Sequence, residues 1–150
     1  LPLDSLKVLC SQIPHPIVLV GGKEEVADGE ALALLDPTRI VNTCGAYSLH
    51  ESALIVQKAK VVISHDTGML YIACAFEKNV IAIWGATSPA LQVEPFMPDD
   101  SKARVFQSIV PDLACQPCSN FGTKTCPKGH FACMQQQNLP EIARQVEQMW

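Results

Sequence analysis

The chain has 150 residues, with 11 Lys and Arg against 15 Asp and Glu, so its net charge is −4. Hydrophobic residues make up 48% of it, which is enough for one domain with its own core and excludes disorder as the main state. The scattered basic residues argue against nucleic-acid binding, and no apolar run approaches the roughly 20 residues that a membrane span needs. Because the chain opens without Met and shows no signal-peptide pattern, we expect a cytoplasmic domain cut from a longer protein.

The apolar pattern alternates between helical and strand spacing along the whole chain. A helix is predicted over residues 3–13, and short β-branched runs then alternate with helices until Asn138, which has the chemistry of an N-cap, begins the last one. Strands that are apolar throughout and alternate with helices specify a parallel sheet covered on both faces. The sequence therefore predicts an α/β, Rossmann-like fold. The predicted strands are residues 17–20, 39–42, 60–64, 80–84 and 104–106, and the intervening helices are 24–35, 49–59 and 69–76.

Ligands of open parallel sheets bind where the strands end, which singles out the loop 65–68, His-Asp-Thr-Gly. This loop joins a buried strand directly to an apolar helix, whose free amides and partial positive charge can hold a phosphate. Gly68 allows close approach of a ligand, and the Thr67 hydroxyl can donate to a phosphate oxygen. Asp66 is repelled by an anion, so we expect it to brace the loop or cap the helix. The alternative is that Asp66 and Thr67 act only as helix caps.

The two preceding loops hold weaker candidates. Glu25, after the glycine pair that ends in Gly22, can accept from ribose hydroxyls or simply complement the helix dipole as a solvated acid. Tyr47 can stack on a nucleobase or be a partly buried loop aromatic. Ser48 and Glu51 have the spacing of a capping box, which predicts a helix start at this point.

Four late cysteines lie in a segment without periodicity. Cys115, Cys118, Cys126 and Cys133, with His130 among them, match the ligand count of structural zinc, although the six-residue spacing of the second pair is wide. The alternatives are thiols packed in a small satellite core and disulfides formed on oxidation. The segment is too long to be featureless in a compact domain, so something must order it.

Several strings together resemble one family. They are residues 61–73, residues 80–89, the helix start at 48–51 and the cysteine-rich tail at 115–134. Together they resemble the C-terminal domain of family 9 glycosyltransferases, the lipopolysaccharide heptosyltransferases. The resemblance implies a GT-B enzyme of two Rossmann-like domains, of which residues 1–150 would be a single nucleotide-sugar-binding domain. The N-terminal domain, with the acceptor site and the general base, would be absent from this chain.

The resemblance also implies roles for individual residues. The loop 66–68 would lie on the donor diphosphate, Glu25 would contact the ribose, and Tyr47 would lie near the base. Many members of the family have His where Tyr71 stands, so this chain offers one hydrogen bond there but no imidazolium charge. No catalytic residue, metal ligand or cofactor is expected in this domain. The predicted substrate-binding residues are Gly22, Glu25, Tyr47, Ser48, Asp66, Thr67, Gly68 and Tyr71.

The leading hypothesis is a donor-binding domain for transfer of heptose from ADP-heptose to a lipopolysaccharide core acceptor. The isolated chain would bind the donor but be inactive. Its lipid-linked acceptor would be met through the missing domain, in the cytoplasm and peripherally at the inner membrane. The alternatives are a zinc-stabilised α/β interaction module and a GT-B enzyme that uses another nucleotide sugar. Because a partner domain would cover part of this one, an exposed apolar patch is expected on the cleft face and the last helix.

Overall fold

The computed structural model describes residues 1–150, and its helices and strands follow the predicted order. Boundaries differ from the predicted ones by a few residues at most sites, and β5 extends two residues beyond the predicted strand. No helix has the length and apolar character to cross a membrane. The helices are α1 (Leu3–Gln12), α2 (Val26–Ala33), α3 (Leu49–Lys58), α4 (Gly68–Ala75), α5 (Ala132–Gln135) and α6 (Leu139–Met149); the strands are β1 (Ile17–Leu19), β2 (Ile40–Asn42), β3 (Val61–His65), β4 (Asn79–Ile83) and β5 (Val105–Ser108).

Every strand pair is parallel, as the apolar strand pattern predicts, but the strands form two sheets. One has β1 beside β2, and the other has the order β3-β4-β5. The three-residue β1 forms its hydrogen-bond ladder with β2. Ile17 of β1 and Ile63 of β3 pack against the same core cluster. Side-chain packing therefore joins the two sheets.

The central strand β4 shows why helices cover both faces of the larger sheet. Its side chains alternate, so Ile81 and Ile83 pack on one face with α1 and α6. Val80 and Ala82, followed by Trp84, pack on the opposite face with α3 and α4. All five of these residues are at most 2% exposed. The carboxyl end of β4 is therefore fixed by buried side chains on both faces of the sheet.

The smaller sheet is covered on one face only, which corrects the prediction that residues 17–20 are fully buried. Ile40 packs into a cluster with α1 and α2, whereas Val18 and Val41 on the other face are 48% and 52% exposed. No helix covers this second face, so alternate residues point to solvent. Val18 and Val41 leave apolar surface exposed here, whereas the expectation of apolar exposure on the last helix is wrong, because Ile142 and Val146 of its stripe are buried in the core.

Candidate active site at the carboxyl ends of the strands

The loop between β3 and α4 leaves the start of its helix open. Thr67 is the N-cap residue, with extended backbone (φ −143°, ψ 170°), and no side chain caps the helix. Thr67 and Gly68 are exposed, and a Cβ built on Gly68 would meet nothing within 4 Å. The Leu70 N–H donates to the Thr67 carbonyl at 3.0 Å, whereas the N–H groups of Gly68 and Met69 have no partner in the chain and are available to an anion. The interpretation of Asp66 and Thr67 as side-chain caps is wrong.

Asp66 braces the loop through a contact with Tyr71. The Tyr71 hydroxyl lies 2.9 Å from Asp66 Oδ1 and 2.9 Å from the backbone oxygen of Val93, and donates toward both. Burial, and then the hydrogen bond to Asp66, raise the pKa of Tyr71 to about 12, so the hydroxyl stays protonated near neutral pH. Tyr71 was predicted to bind substrate, but its hydroxyl is already engaged within the chain.

The other two polar side chains of this region are also engaged. Thr67 Oγ1 lies 3.2 Å from Ser64 Oγ, which in turn donates to the His65 backbone oxygen. His65 Nε2 lies 2.6 Å from the amino group of Leu1. Burial lowers the pKa of His65 to about 4, so the imidazole is neutral at physiological pH.

The loops after β1 and β2 are held together by backbone contacts. The Gly45 N–H donates to the Gly21 carbonyl at 2.9 Å. A Cβ on Gly21 would lie 3.0 Å from Cys44 Sγ, which shows how closely the two loops pack. Glu25 is exposed, and its Oε2 accepts from the Gly22 N–H at 2.7 Å. Gly22 and Glu25 therefore form one rigid turn at this end of β1.

Ser48 serves the start of α3, as its spacing with Glu51 predicts. Its hydroxyl donates to Glu51 Oε2 at 2.7 Å and accepts from the Glu51 N–H, while the Ser48 N–H donates to the same carboxylate at 2.8 Å. These bonds lower the pKa of Glu51. The Ser48 side chain is thus occupied by the capping box, whereas the neighbouring Tyr47 is half exposed and free to stack.

The cysteine-rich segment braces the loop after β4. Gln116 Nε2 donates to the Gly85 oxygen at 2.7 Å and to the Thr87 oxygen at 3.2 Å. The Cys118 N–H donates to the Ala86 oxygen at 2.9 Å. Three successive carbonyls of this loop are therefore fixed by one segment. Sequence analysis missed Gln116, because only the fold brings it near these carbonyls.

The cysteines themselves form no ready metal site. All seven are free, and no three His, Cys, Asp or Glu side chains are arranged so that they could hold a metal ion. Cys126 Sγ accepts from the Phe131 N–H at 3.4 Å, and this and further amides lower the pKa of that thiol. Cys115 Sγ lies 3.9 Å from His130 Nε2. Hydrogen bonds from Gln116 and Cys118 to the loop after β4 contribute to ordering this segment in the structure.

The strand ends form an open edge and not a closed pocket. Two depressions of the surface, of about 560 and 500 Å³, are lined by residues between 109 and 116 and by residues between 30 and 42. Neither includes the loop between β3 and α4. A ligand held there would be contacted from one side by this domain.

Known proteins of similar sequence belong to one family. Residues 6–120 match Glycosyltransferase family 9 (heptosyltransferase). The chain is 29% identical over 100 residues to Lipopolysaccharide heptosyltransferase 2 of Salmonella typhimurium, covering 63% of this chain and 27% of that protein. It is 28% identical over 103 residues to Lipooligosaccharide heptosyltransferase 2 of Haemophilus influenzae, covering 66% of this chain and 29% of that protein.

Two solved structures share the fold. The Escherichia coli ADP-heptose LPS heptosyltransferase II matches with a TM-score of 0.58 and 22% identity, over 73% of this chain and 34% of that one. A family 9 glycosyl transferase from Veillonella parvula matches with a TM-score of 0.69 and 13% identity, over 99% of this chain and 41% of that one. This chain thus spans under a third of the length of the two sequence relatives. The family match extends over more than half of the chain, and we conclude that this chain belongs to glycosyltransferase family 9.

Proposed function

We propose that this chain is the donor-binding domain of a heptosyltransferase, that it binds ADP-heptose, and that the whole enzyme transfers heptose to a lipopolysaccharide core acceptor. One observation carries the proposal. The start of α4 has no side-chain cap, its Gly68 faces open space, and it lies at the carboxyl end of β3. A helix start of this kind binds phosphate through backbone amides and the helix dipole.

The chemistry of the site suits a diphosphate leaving group. In sugar transfer, negative charge grows on the diphosphate as the glycosidic bond breaks, and fixed amide dipoles stabilise that charge without reorganising. The Gly68 backbone would approach the phosphates, and the Thr67 hydroxyl would turn from Ser64 toward them. In this proposal the domain stabilises the diphosphate without a metal or cofactor.

The nucleoside is assigned to the loops after β1 and β2. Glu25 is exposed at the turn with Gly22, where its free carboxylate oxygen can accept from a ribose hydroxyl. Tyr47 is half exposed and can stack on the base. Ser48 would contribute by fixing the α3 start behind Tyr47, since its own hydroxyl is bound to Glu51.

The acceptor site and the general base are assigned to a further domain. The matched part makes up only 27% and 29% of the two sequence relatives named above, and Thr67 and Gly68 are exposed at the proposed site. The domain alone would therefore bind the donor without transferring sugar. We place the enzyme in the cytoplasm, in peripheral contact with the inner membrane, where a lipid-linked saccharide acceptor would be met.

Calorimetric titration with ADP, GDP and UDP in parallel tests the proposal. We expect preferential binding of ADP, and a Gly68→Val variant should lose it while keeping its helical circular dichroism and thermal midpoint. The valine is accommodated because no atom lies within 4 Å of the new Cβ, yet it would occupy the space of the phosphate. A preference for GDP or UDP would favour another nucleotide sugar. Unchanged ADP affinity of Gly68→Val would remove α4 from the site.

A further inference from the structure

Tyr71 connects α4 to two separate segments. Its hydroxyl contacts both Asp66, at 2.9 Å, and the Val93 carbonyl, at 2.9 Å. The Val93 side chain also packs against the core cluster that contains Leu70 and Cys74 of α4. The helix therefore contacts Val93 through packing and through the Tyr71 hydroxyl, which additionally holds the carboxylate that precedes the helix.

Asp66 lies where its carboxylate could compete with a phosphate for the amides at the start of α4. Aspartate beside a helix start is among the strongest side-chain caps, because its carboxylate accepts from the same first-turn amides that would bind a phosphate. Asp66 is one residue before the N-cap Thr67, yet its carboxylate makes no cap bond. It points instead to the Tyr71 hydroxyl. If the Asp66 carboxylate were released from Tyr71, it could accept from the amides at the start of α4 in place of a phosphate. Its negative charge would also repel a diphosphate.

We propose that Tyr71 is a positioning residue that holds the Asp66 carboxylate away from the start of α4 and thereby keeps the first-turn amides free for the donor diphosphate. This inference rests on the proposed function of the same site. The hydroxyl remains a donor throughout the physiological range, since the pKa of Tyr71 is raised to about 12. Tyr71 would thus act on the ligand through Asp66 without touching it.

A double-mutant cycle tests the inference on the chain as it exists. Tyr71→Phe, Asp66→Ala and the double variant are titrated by calorimetry with ADP, inorganic pyrophosphate and adenosine. Phenylalanine keeps the ring packing and removes only the hydroxyl. We expect Tyr71→Phe to weaken ADP and pyrophosphate roughly tenfold, the worth of one hydrogen bond to a charged group, and to leave adenosine unchanged. Ser11→Ala, which removes an exposed hydroxyl on α1, is the control and should change nothing.

The cycle separates positioning from a merely structural role. In the Asp66→Ala background, Tyr71→Phe should change the ADP affinity by less than twofold, because no side-chain acceptor remains at position 66 to compete for the amides. The inference would be overturned if Tyr71→Phe weakened ADP binding equally with and without Asp66. It would also be overturned if Tyr71→Phe weakened adenosine binding as much as ADP binding, or did not weaken ADP binding at all. If the unaltered chain bound none of the three ligands, the proposed function itself would fail, a result distinct from all of these.

Discussion

Gln137 is the side chain whose removal should damage the site's support most clearly. It is 6% exposed, and its Oε1 accepts from the Ser108 hydroxyl at 2.6 Å. Its Nε2 donates to the Trp84 oxygen at 2.9 Å and to the Cys133 oxygen at 2.8 Å. One amide thus joins the end of β4, the end of β5 and α5. Gln137→Leu keeps nearly the same volume and removes all three hydrogen bonds.

The expected cost follows from the groups left behind. Two buried carbonyls lose their donor and one hydroxyl loses its acceptor, each at about 1–3 kcal/mol before relaxation. The hydroxyl can turn to another acceptor, and leucine gains roughly 2 kcal/mol from its apolar surface. The net loss in free energy of unfolding is therefore about 2 kcal/mol. For a chain of this length that lowers the thermal midpoint by roughly 4–8 °C.

Urea denaturation at pH 7 measures the loss, with Gln136→Leu as the matched control. Gln136 is the adjacent glutamine, but it is exposed, so its replacement should stay within about 0.5 kcal/mol of the unaltered chain. If Gln137→Leu lowered the free energy of unfolding no more than Gln136→Leu does, the argument that the buried amide holds the strand ends together would be refuted.

Three further measurements follow from the same structure. Ser48→Ala breaks the capping box with Glu51 and should lower the free energy of unfolding by about 1 kcal/mol in urea titration. The pKa of His65 is lowered to about 4 in the folded chain. Between that pH and the ordinary histidine pKa, His65 is therefore protonated in the unfolded chain but not in the folded one. The contribution of His65 to the free energy of unfolding should hold above pH 6.5 and fall as the pH drops toward 4, and His65→Asn should remove this part of the decline. Iodoacetamide at pH 7 should label Cys126, whose pKa is lowered, before buried Cys74, whose pKa is raised, as peptide mass spectrometry would show; a faster Cys74 would contradict the assignment.

The features that sequence predicts well are those set by neighbours along the chain. The capping box needs only Ser48 and Glu51 three residues apart, and the structure shows it in full. The alternation of helices with β-branched runs likewise identifies each strand, because a helix has a different apolar period from a strand. The same local rules place the loop 65–68 at a strand end.

The features that sequence misses depend on which atoms the fold brings together. Gln116 binds carbonyls 29 and 31 residues away, and Gln137 binds one 53 residues away. A glutamine has no spacing rule that reveals such partners. The exposed face with Val18 is missed for a related reason, since a short apolar run has the same composition whether one face or two are covered.

The N–H groups of Gly68 and Met69 have no partner in the chain, which is the physical basis for proposing an anion site at the start of α4. Each side chain of the loop already has a partner: His65 with Leu1, Asp66 with Tyr71 and Thr67 with Ser64. None of them caps the helix, so the donors left open at this edge are backbone amides, which carry no charge that titrates. Such donors favour a ligand with negative charge spread over several oxygens, held by geometry at any physiological pH. A diphosphate meets that description, and a neutral sugar or a cation does not.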